Sequence, residues 1–402
     1  MNSTDQYTIE AFINNDRMNT KPKHIISTKS IVSLDITESV LTLLPKITLV
    51  FNDKSNMIDN KPILDKDVLH IKLNISDDLP ENEIISTFII SVVDILPVAN
   101  NDGVKVTISG YMAGDDVFAP YKYDAILGSS HDVVKKLTNI MGLKFNSNSD
   151  STESVYWYQH SNNYTFLHQV AKKAYIPNDA VFVYGDVTGT MNYISFKTIA
   201  ALETKYTAKY NVRKMQEEFL KDDDANILYY DGYHILNTTE IYNNISNYGG
   251  VFSYYDMDTY QTRSLHASYS NTDLLNRNSR YNEEPIFNLF MGVISDKTLQ
   301  DTIYRGEIQN SVGRYNLFSN SIYINIRNTS VVALFDKVDL QLQSPLDVNE
   351  IAEPYSGEYF ITSISHSVVK NGNPAYAKRI LLCRNGINKS LEPQVQELDG
   401  IV

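Results

Sequence analysis

Of the 402 residues only one is cysteine and only one is tryptophan. A single thiol excludes an intrachain disulfide and any metal site built from several cysteines. Cys383 sits inside an alternating run and reads as a small buried hydrophobe, not as a nucleophile. Long apolar stretches are missing too. Phe88–Val93 is among the longest, and Ser91 breaks it, far short of the roughly 20 residues a membrane-spanning helix needs. The N-terminus, MNSTDQYTIE, has neither a basic n-region nor an apolar h-region, so the expectation is a protein made and kept in a cytoplasm without a secretion signal or membrane anchor. Positive charge is scarce: 35 Lys and Arg stand against 48 Asp and Glu, a net −13 with no basic patch. Recognition of nucleic acid through its phosphates is therefore not expected.

The usual catalytic constellations are absent as well. There is no G-x-S-x-G elbow, no phosphate-binding G-x-x-x-x-G-K-[ST], no G-x-G-x-x-G and no H-E-x-x-H. The eight histidines are dispersed. His160 and His168 are eight residues apart, and two helical turns would separate them by about 12 Å, too far to share a metal. Lys221–Asn226 carries three aspartates, but a calcium loop starting at Asp222 would need Gly and Glu where Ile227 and Tyr233 stand. A solvated acidic turn is the reading. Glu217-Glu218 and Glu283-Glu284 read as solvated charge. No cofactor or metal is expected, and no enzymatic activity.

What is present is a β-rich chain of ordinary composition, 43% hydrophobic and 21% charged, with 28 Tyr and 15 Phe. Its length exceeds the roughly 250–300 residues at which a single core stops growing, so several domains are expected. Over residues 1–118 the spacing predicts strands at Tyr7–Phe12, His24–Leu34, around Ile47–Phe51, Val68–Ile75, Ser86–Leu96 and Val104–Gly110. The Asn100–Gly103 stretch marks a hairpin. From 119 the pattern changes. Val133, Val134, Leu137, Ile140 and Met141 predict a helix capped by Ser129 or Ser130 and ended by Gly142. Phe166, Leu167, Val170, Ala171 and Ala174 predict a second, stopped before Pro177, with a hairpin from Val181 to Phe196 after it. Residues 206–219 read as strand then helix. Residues 236–300 read as a Tyr/Asn-rich β insertion, and 391–402 as a polar tail.

The last ordered stretch is the most informative. Val338, Leu340 and Leu342 alternate with polar residues; Tyr359–Val368 puts Phe360, Ile364 and Val368 on one face and Tyr359 and Ile361 on the other; Ala377–Arg384 puts Ala377, Leu381 and Cys383 on one face. Ser356-Gly357 and Asn371–Pro374 punctuate the runs. Ser356, Gly357, Tyr359, Ile361, Ile364 and His366, with Arg384 at the end of the following strand, resemble the C-terminal signature of phage baseplate hub proteins. That family includes the late control gene D proteins and the N-terminal part of VgrG spike proteins. Asn163, Phe166, Leu167 and Ala171 are similar to a helix in the family's second domain.

The resemblance implies a mainly β (α+β) fold: two tube-type β-barrel domains related by an internal repeat, with two smaller inserted or peripheral α+β domains. The segments would be 1–118 for the first tube domain, 119–205 for an α+β domain, 206–235 with 301–390 for the second tube domain, and 236–300 for the insertion. The repeat is visible in the residues. VLHIKLNI, then FIISVVDIL from Phe88, then VKVTISG ending at Gly110 parallel VDLQLQ, FITSISHSV from Phe360, and AKRILLCRNG ending at Gly386. The family further implies a structural virion protein in the tail baseplate, assembled in the host cytoplasm. It would be a homotrimer joining a six-fold tail tube protein to a three-fold central spike protein, surrounded by wedge or other baseplate proteins, with DNA passing through the lumen. The signature positions are Gly357, Tyr359, His366, Arg384 and Gly110. A tail-associated cell-wall hydrolase or a carbohydrate-binding module is the alternative.

Overall fold

A computed structural model describes residues 7–15, 21–54, 57–64, 67–75, 83–98, 103–114, 116–118, 122–210, 226–237, 249–268, 287–294, 300–318, 320–326, 331–344, 351–370 and 375–384. The Asn371–Pro374 turn, Gly386, the acidic run up to Ala225, both Glu pairs and the tail lie outside them.

The chain begins with β1 (Thr8–Asn14), β2 (His24–Ile26), a 3-10 turn at Thr28–Ser30, β3 (Ile31–Ser39), β4 (Lys46–Asp53), the single helical turn α1 (Met57–Asn60), β5 (Val68–Asn74), β6 (Glu83–Pro97) and β7 (Val104–Met112). Next come β8 (Lys122–Gly128), α2 (Ser130–Ile140), β9 (Lys144–Ser147), β10 (Val155–Ser161), α3 (Asn163–Lys173), β11 (Val181–Gly185), β12 (Thr190–Ser195) and α4 (Phe196–Ala200). The remainder holds β13 (Tyr206–Tyr210), β14 (Ile227–Asn237), β15 (Gly249–Asp256), β16 (Gln261–Ser268), β17 (Phe287–Ile294), α5 (Asp301–Leu317), β18 (Asn320–Ile326), β19 (Lys337–Gln341), β20 (Gly357–Val369) and β21 (Ala375–Arg384).

Thirteen strands form one sheet in the order β19-β13-β14-β18-β21-β20-β3-β4-β7-β6-β5-β1-β2, and β19 also pairs with β20. That second pairing closes six strands, β13, β14, β18, β19, β20 and β21, into a barrel. The mainly β class and the internal repeat are those expected. Both repeats use the same chain order for five strands: β3, β4, β5, β6, β7 and β14, β18, β19, β20, β21. Their shared pairings, β3–β4 with β14–β18, β4–β7 with β18–β21, β7–β6 with β21–β20 and β6–β5 with β20–β19, are all antiparallel. They differ at the strand before these five. β1 runs antiparallel to β5, whereas β13 runs parallel to both β19 and β14 and so completes the closed barrel.

The registers correct the alignment read from sequence. Leu69 faces Phe88 and Val338 faces Tyr359, so Tyr359 and not Phe360 is the counterpart of Phe88. Gly110 faces Ile47 in β7 while Leu382 faces Ile322 in β21. Gly110 therefore lies inside a strand opposite Ile90 and is no closing glycine. Two predicted faces also change. A bulge between Ile361 and Ser363 shifts the phase of β20, so Tyr359 and Ile361 share the inward face with Ile364, His366 and Val368. On β21 the inward residues are Lys378, Ile380, Leu382 and Arg384; of the expected face of Ala377, Leu381 and Cys383 only Cys383 is buried. Two buried charges had disguised that face as the solvated one.

The intervening α/β segment supports both repeats. α2 is capped by the Ser129 hydroxyl, which accepts from the Asp132 N–H, and ends near Gly142; α3 is capped by Asn162. Val133, Leu137, Phe166, Leu167 and Val170 pack into the core of the first repeat, and Phe182 and Phe196 into that of the second. β11 is buried along its whole length, with Val181 and Val183 in one core and Phe182 and Tyr184 in the other. VYWYQH, just before α3, is the separate strand β10. Helix α5 places Ile308, Val312 and Leu317 in the second core and buries polar residues beside them: Asn310 accepts from the Val181 N–H at 2.7 Å and donates to the Ala174 carbonyl at 2.8 Å.

Candidate functional site

The signature residues meet at the base of β20. A 3-10 turn at Glu353–Tyr355 leads into Ser356, whose hydroxyl accepts from the Leu342 N–H at 3.0 Å and donates to the Ala352 carbonyl at 3.0 Å. Gly357 then adopts φ +119°, a conformation that any side chain would strain. Tyr359 is fully buried and its hydroxyl donates to the Tyr355 carbonyl at 2.7 Å, while the Asn320 amide donates to it at 3.2 Å. Burial pushes the Tyr359 hydroxyl's pKa well up, leaving it a firm donor. Arg384, 1% exposed, donates to the Ser356 carbonyl at 2.9 Å and the Pro354 carbonyl at 2.7 Å, and its guanidinium lies 4.5 Å from the Tyr359 ring centroid. Gly357, Tyr359 and Arg384 thus form one cluster that ties the 353–357 turn to the barrel wall. Gly110 is elsewhere, and an added Cβ there would stand 2.5 Å from the Ile89 carbonyl oxygen.

His366 lies in a second place, the joint between the repeats. Here Ser363–Val369 of β20 pairs antiparallel with Ser33–Ser39 of β3, which makes the two repeats one continuous sheet. Thr37 and Ser365 hydroxyls lie 3.0 Å apart across the joint, and the Ser363 hydroxyl donates to the Glu38 carbonyl. His366, Lys378 and Glu38 are all buried there, with His366 opposite Lys378 on one side and Ile36 on the other. Burial, and then Lys378, lower the His366 pKa to about 3, so its imidazole is neutral, and its Nδ1 is hydrogen-bonded with the Tyr376 hydroxyl at 2.8 Å. Burial raises Glu38 to about 7 against the bond its Oε2 accepts from the Val187 N–H, and lowers Lys378 to about 8. Neither Lys378 nor Glu38 was singled out from sequence, since each sits on a strand where a charge reads as outward.

Cys383 is buried, its thiol pushed up to about 12 by desolvation, with Ser321 and Thr362 hydroxyls at 3.2 and 3.0 Å. His70 stacks on Phe12 at 4.6 Å and lies 2.9 Å from the Thr87 hydroxyl. Among the described residues no group of three His, Cys, Asp or Glu side chains is placed to hold a metal ion. An open cleft of about 630 Å³ runs between Phe12, Pro22 and Ile25, and a smaller one of about 230 Å³ lies beside Tyr156, Tyr158 and Tyr304. No helix among the described residues is long and apolar enough to cross a membrane.

No family model matches the sequence, and no curated protein does. Solved structures do match. A tail protein from Neisseria meningitidis superposes with a TM-score of 0.56 at 10% identity, over 95% of this chain and 97% of that one. The 43 kDa tail protein of a Shewanella oneidensis prophage gives 0.52 at 13% identity, over 94% and 97%. The likeness spans nearly the full length of each protein, both repeats included. The chain has the fold of phage tail proteins, the group to which the sequence resemblance pointed.

Proposed function

We propose that this chain is a structural virion protein, the central hub of a tail baseplate. One observation carries the reading: a single polypeptide holds two copies of one five-strand unit, joined edge to edge by β20 and β3. Three such chains in a ring supply six similar units, which is what a six-fold tube and a three-fold spike require of the part between them. In this reading residues 1–118 are one tube unit and 206–235 with 301–390 the other. The partners are two further copies of the chain, the tail tube protein, the central spike protein and surrounding baseplate proteins. DNA passes through the lumen, whose wall is acidic or neutral so that phosphate is not held. The Gly357–Tyr359–Arg384 cluster is structural: it fixes where β20 begins, and hence the register of the joint. The alternative of a hydrolase or glycan-binding module has no observation of its own in its favour.

Light scattering of the purified chain tests this. A mass of about 137 kDa, three times 45.7 kDa, is expected. Co-purification from infected cells should recover tube and spike proteins. A chain that stays monomeric and recovers neither would overturn the reading.

A further inference from the structure

The sheet contains the four-strand series β14-β18-β21-β20 followed directly by β3-β4-β7-β6, the same series in the other repeat. Its two halves meet where Ser363–Val369 pairs with Ser33–Ser39. The corresponding segments at the outer ends can be located residue by residue. Phe88 is the counterpart of Tyr359, and the bulges between Ile90 and Val92 and between Ile361 and Ser363 fall at matching positions. Ser363–Val369 thus maps onto Val92–Val98. On the other strand, Leu34 faces Leu49 and Ile36 faces Ile47, as Tyr233 faces Ile324 and Ile235 faces Ile322. Ser33–Glu38 thus maps onto Gly232–Asn237.

Among the described residues both mapped segments have an open backbone edge. There β6 pairs with β5 only up to Ile89; beyond it, Val92–Pro97 pairs with β7 alone. β14 pairs with β13 only over Ile227–Tyr230; beyond it, among the described residues, Gly232–Asn237 pairs with β18 alone. The side chains differ accordingly. Ile364, His366 and Val368 are buried at the existing joint, whereas of their counterparts Val93 is half-buried, Ile95 is 42% exposed and Pro97 is exposed. Leu34 and Ile36 are buried, whereas Tyr233 and Ile235 are only half-buried. An exposed apolar strand edge is a template for pairing.

We infer that Val93–Pro97 of one copy pairs antiparallel with Tyr233–Asn237 of a second copy, Ile95 opposite Ile235 and Asp94 opposite Leu236. This rests on the ring reading and names its joint. The contact is head-to-tail, as the β20–β3 joint is, so it repeats from chain to chain until the ring closes. The two joints are chemically distinct. Where the internal one holds His366 opposite Lys378, the external one has Ile95 opposite Val106. That difference disfavours pairing of β6 with another copy's β3, which would place Ile95 and Val106 against Glu38.

Engineered cysteines test the inference, because the native Cys383 is buried and unreactive. Directly opposed residues lie within disulfide reach. Ile95→Cys with Ile235→Cys, and separately Asp94→Cys with Leu236→Cys, should give disulfide-linked dimers and trimers on non-reducing gels. Ile95→Cys with Leu236→Cys, whose side chains point to opposite faces, should give none. A second variant, Ile95→Lys with Leu96→Lys, changes exposed side chains and should leave the circular dichroism unaltered while shifting the mass to monomer. A trimeric unmodified chain that yields no cross-link in either pair and withstands the lysines overturns this joint alone. A monomeric unmodified chain overturns the ring reading and the joint with it.

Discussion

Replacing Arg384 by methionine removes the most connected side chain of the signature cluster while keeping an unbranched stem in its place. Two charge-assisted hydrogen bonds disappear, to the Ser356 and Pro354 carbonyls, together with the contact to the Tyr359 ring. A hydrogen bond to a charged group contributes about 1.5–3 kcal/mol, and a desolvated cation–π contact up to about 2. Against that, the guanidinium no longer has to be held out of water, which already lowers its pKa. A net loss of about 3 kcal/mol is expected for Arg384→Met, and about half of that for Arg384→Lys, whose ammonium reaches one carbonyl but not both. The effect should be local. Amide hydrogen exchange across 353–361 should accelerate by roughly the factor the free energy implies, about 100-fold, while α2 and α3 keep their protection. Unfolding in urea supplies the global value. A loss under about 1 kcal/mol with unchanged exchange at 357–361 would refute the account of the cluster.

Three further outcomes are expected. Gly357→Val forces a branched side chain to φ +119° and should destabilise by about 1–3 kcal/mol in urea unfolding; equal stability would remove the strained turn. Lys378→Met should raise stability at pH 7 by about 2 kcal/mol, because the folded pKa of about 8 lies below the ordinary 10.5; the gain should vanish as pH rises through that interval, and a destabilised variant would contradict it. The joint's other two groups oppose each other. Neutral His366 makes stability rise with pH from about 3 to 6.5, while Glu38, held protonated, makes it fall from 4.5 to about 7. The two slopes cancel between 4.5 and 6.5, so His366→Gln should expose a stability that falls by about 1.4 kcal/mol per pH unit there; a flat profile would contradict the burial of Glu38.

Where polar and apolar residues alternated cleanly, the fold could be read from the chain. The strands around Leu49 and Leu73 and both helices were visible, because each buries one face or has a capping residue at its start. The repeat was visible too, from the order of runs and turns. Its register was not, since the shared Phe of the two runs, Phe88 and Phe360, occupies positions one residue out of step, with Tyr359 and not Phe360 opposite Val338. Charge hid the inward face of β21, where Lys378 and Arg384 are buried. α5 left no clear periodic trace because Glu307, Gln309 and Asn310 are buried together with Ile308, Val312 and Leu317. Of the signature positions, Gly357, Tyr359 and Arg384 converge. His366 belongs to the joint, and the significance of that joint depended on which strand edges were left open.

The central claim is that three copies present six equivalent tube units around one channel. Electron-microscopic reconstruction of the purified assembly, without imposed symmetry, measures it directly. The account predicts a three-fold ring in which β20–β3 and β6–β14 contacts alternate, giving six lobes at near-60° intervals around an open centre. A ring with another number of chains, or lobes joined through surfaces other than these strand edges, would contradict it.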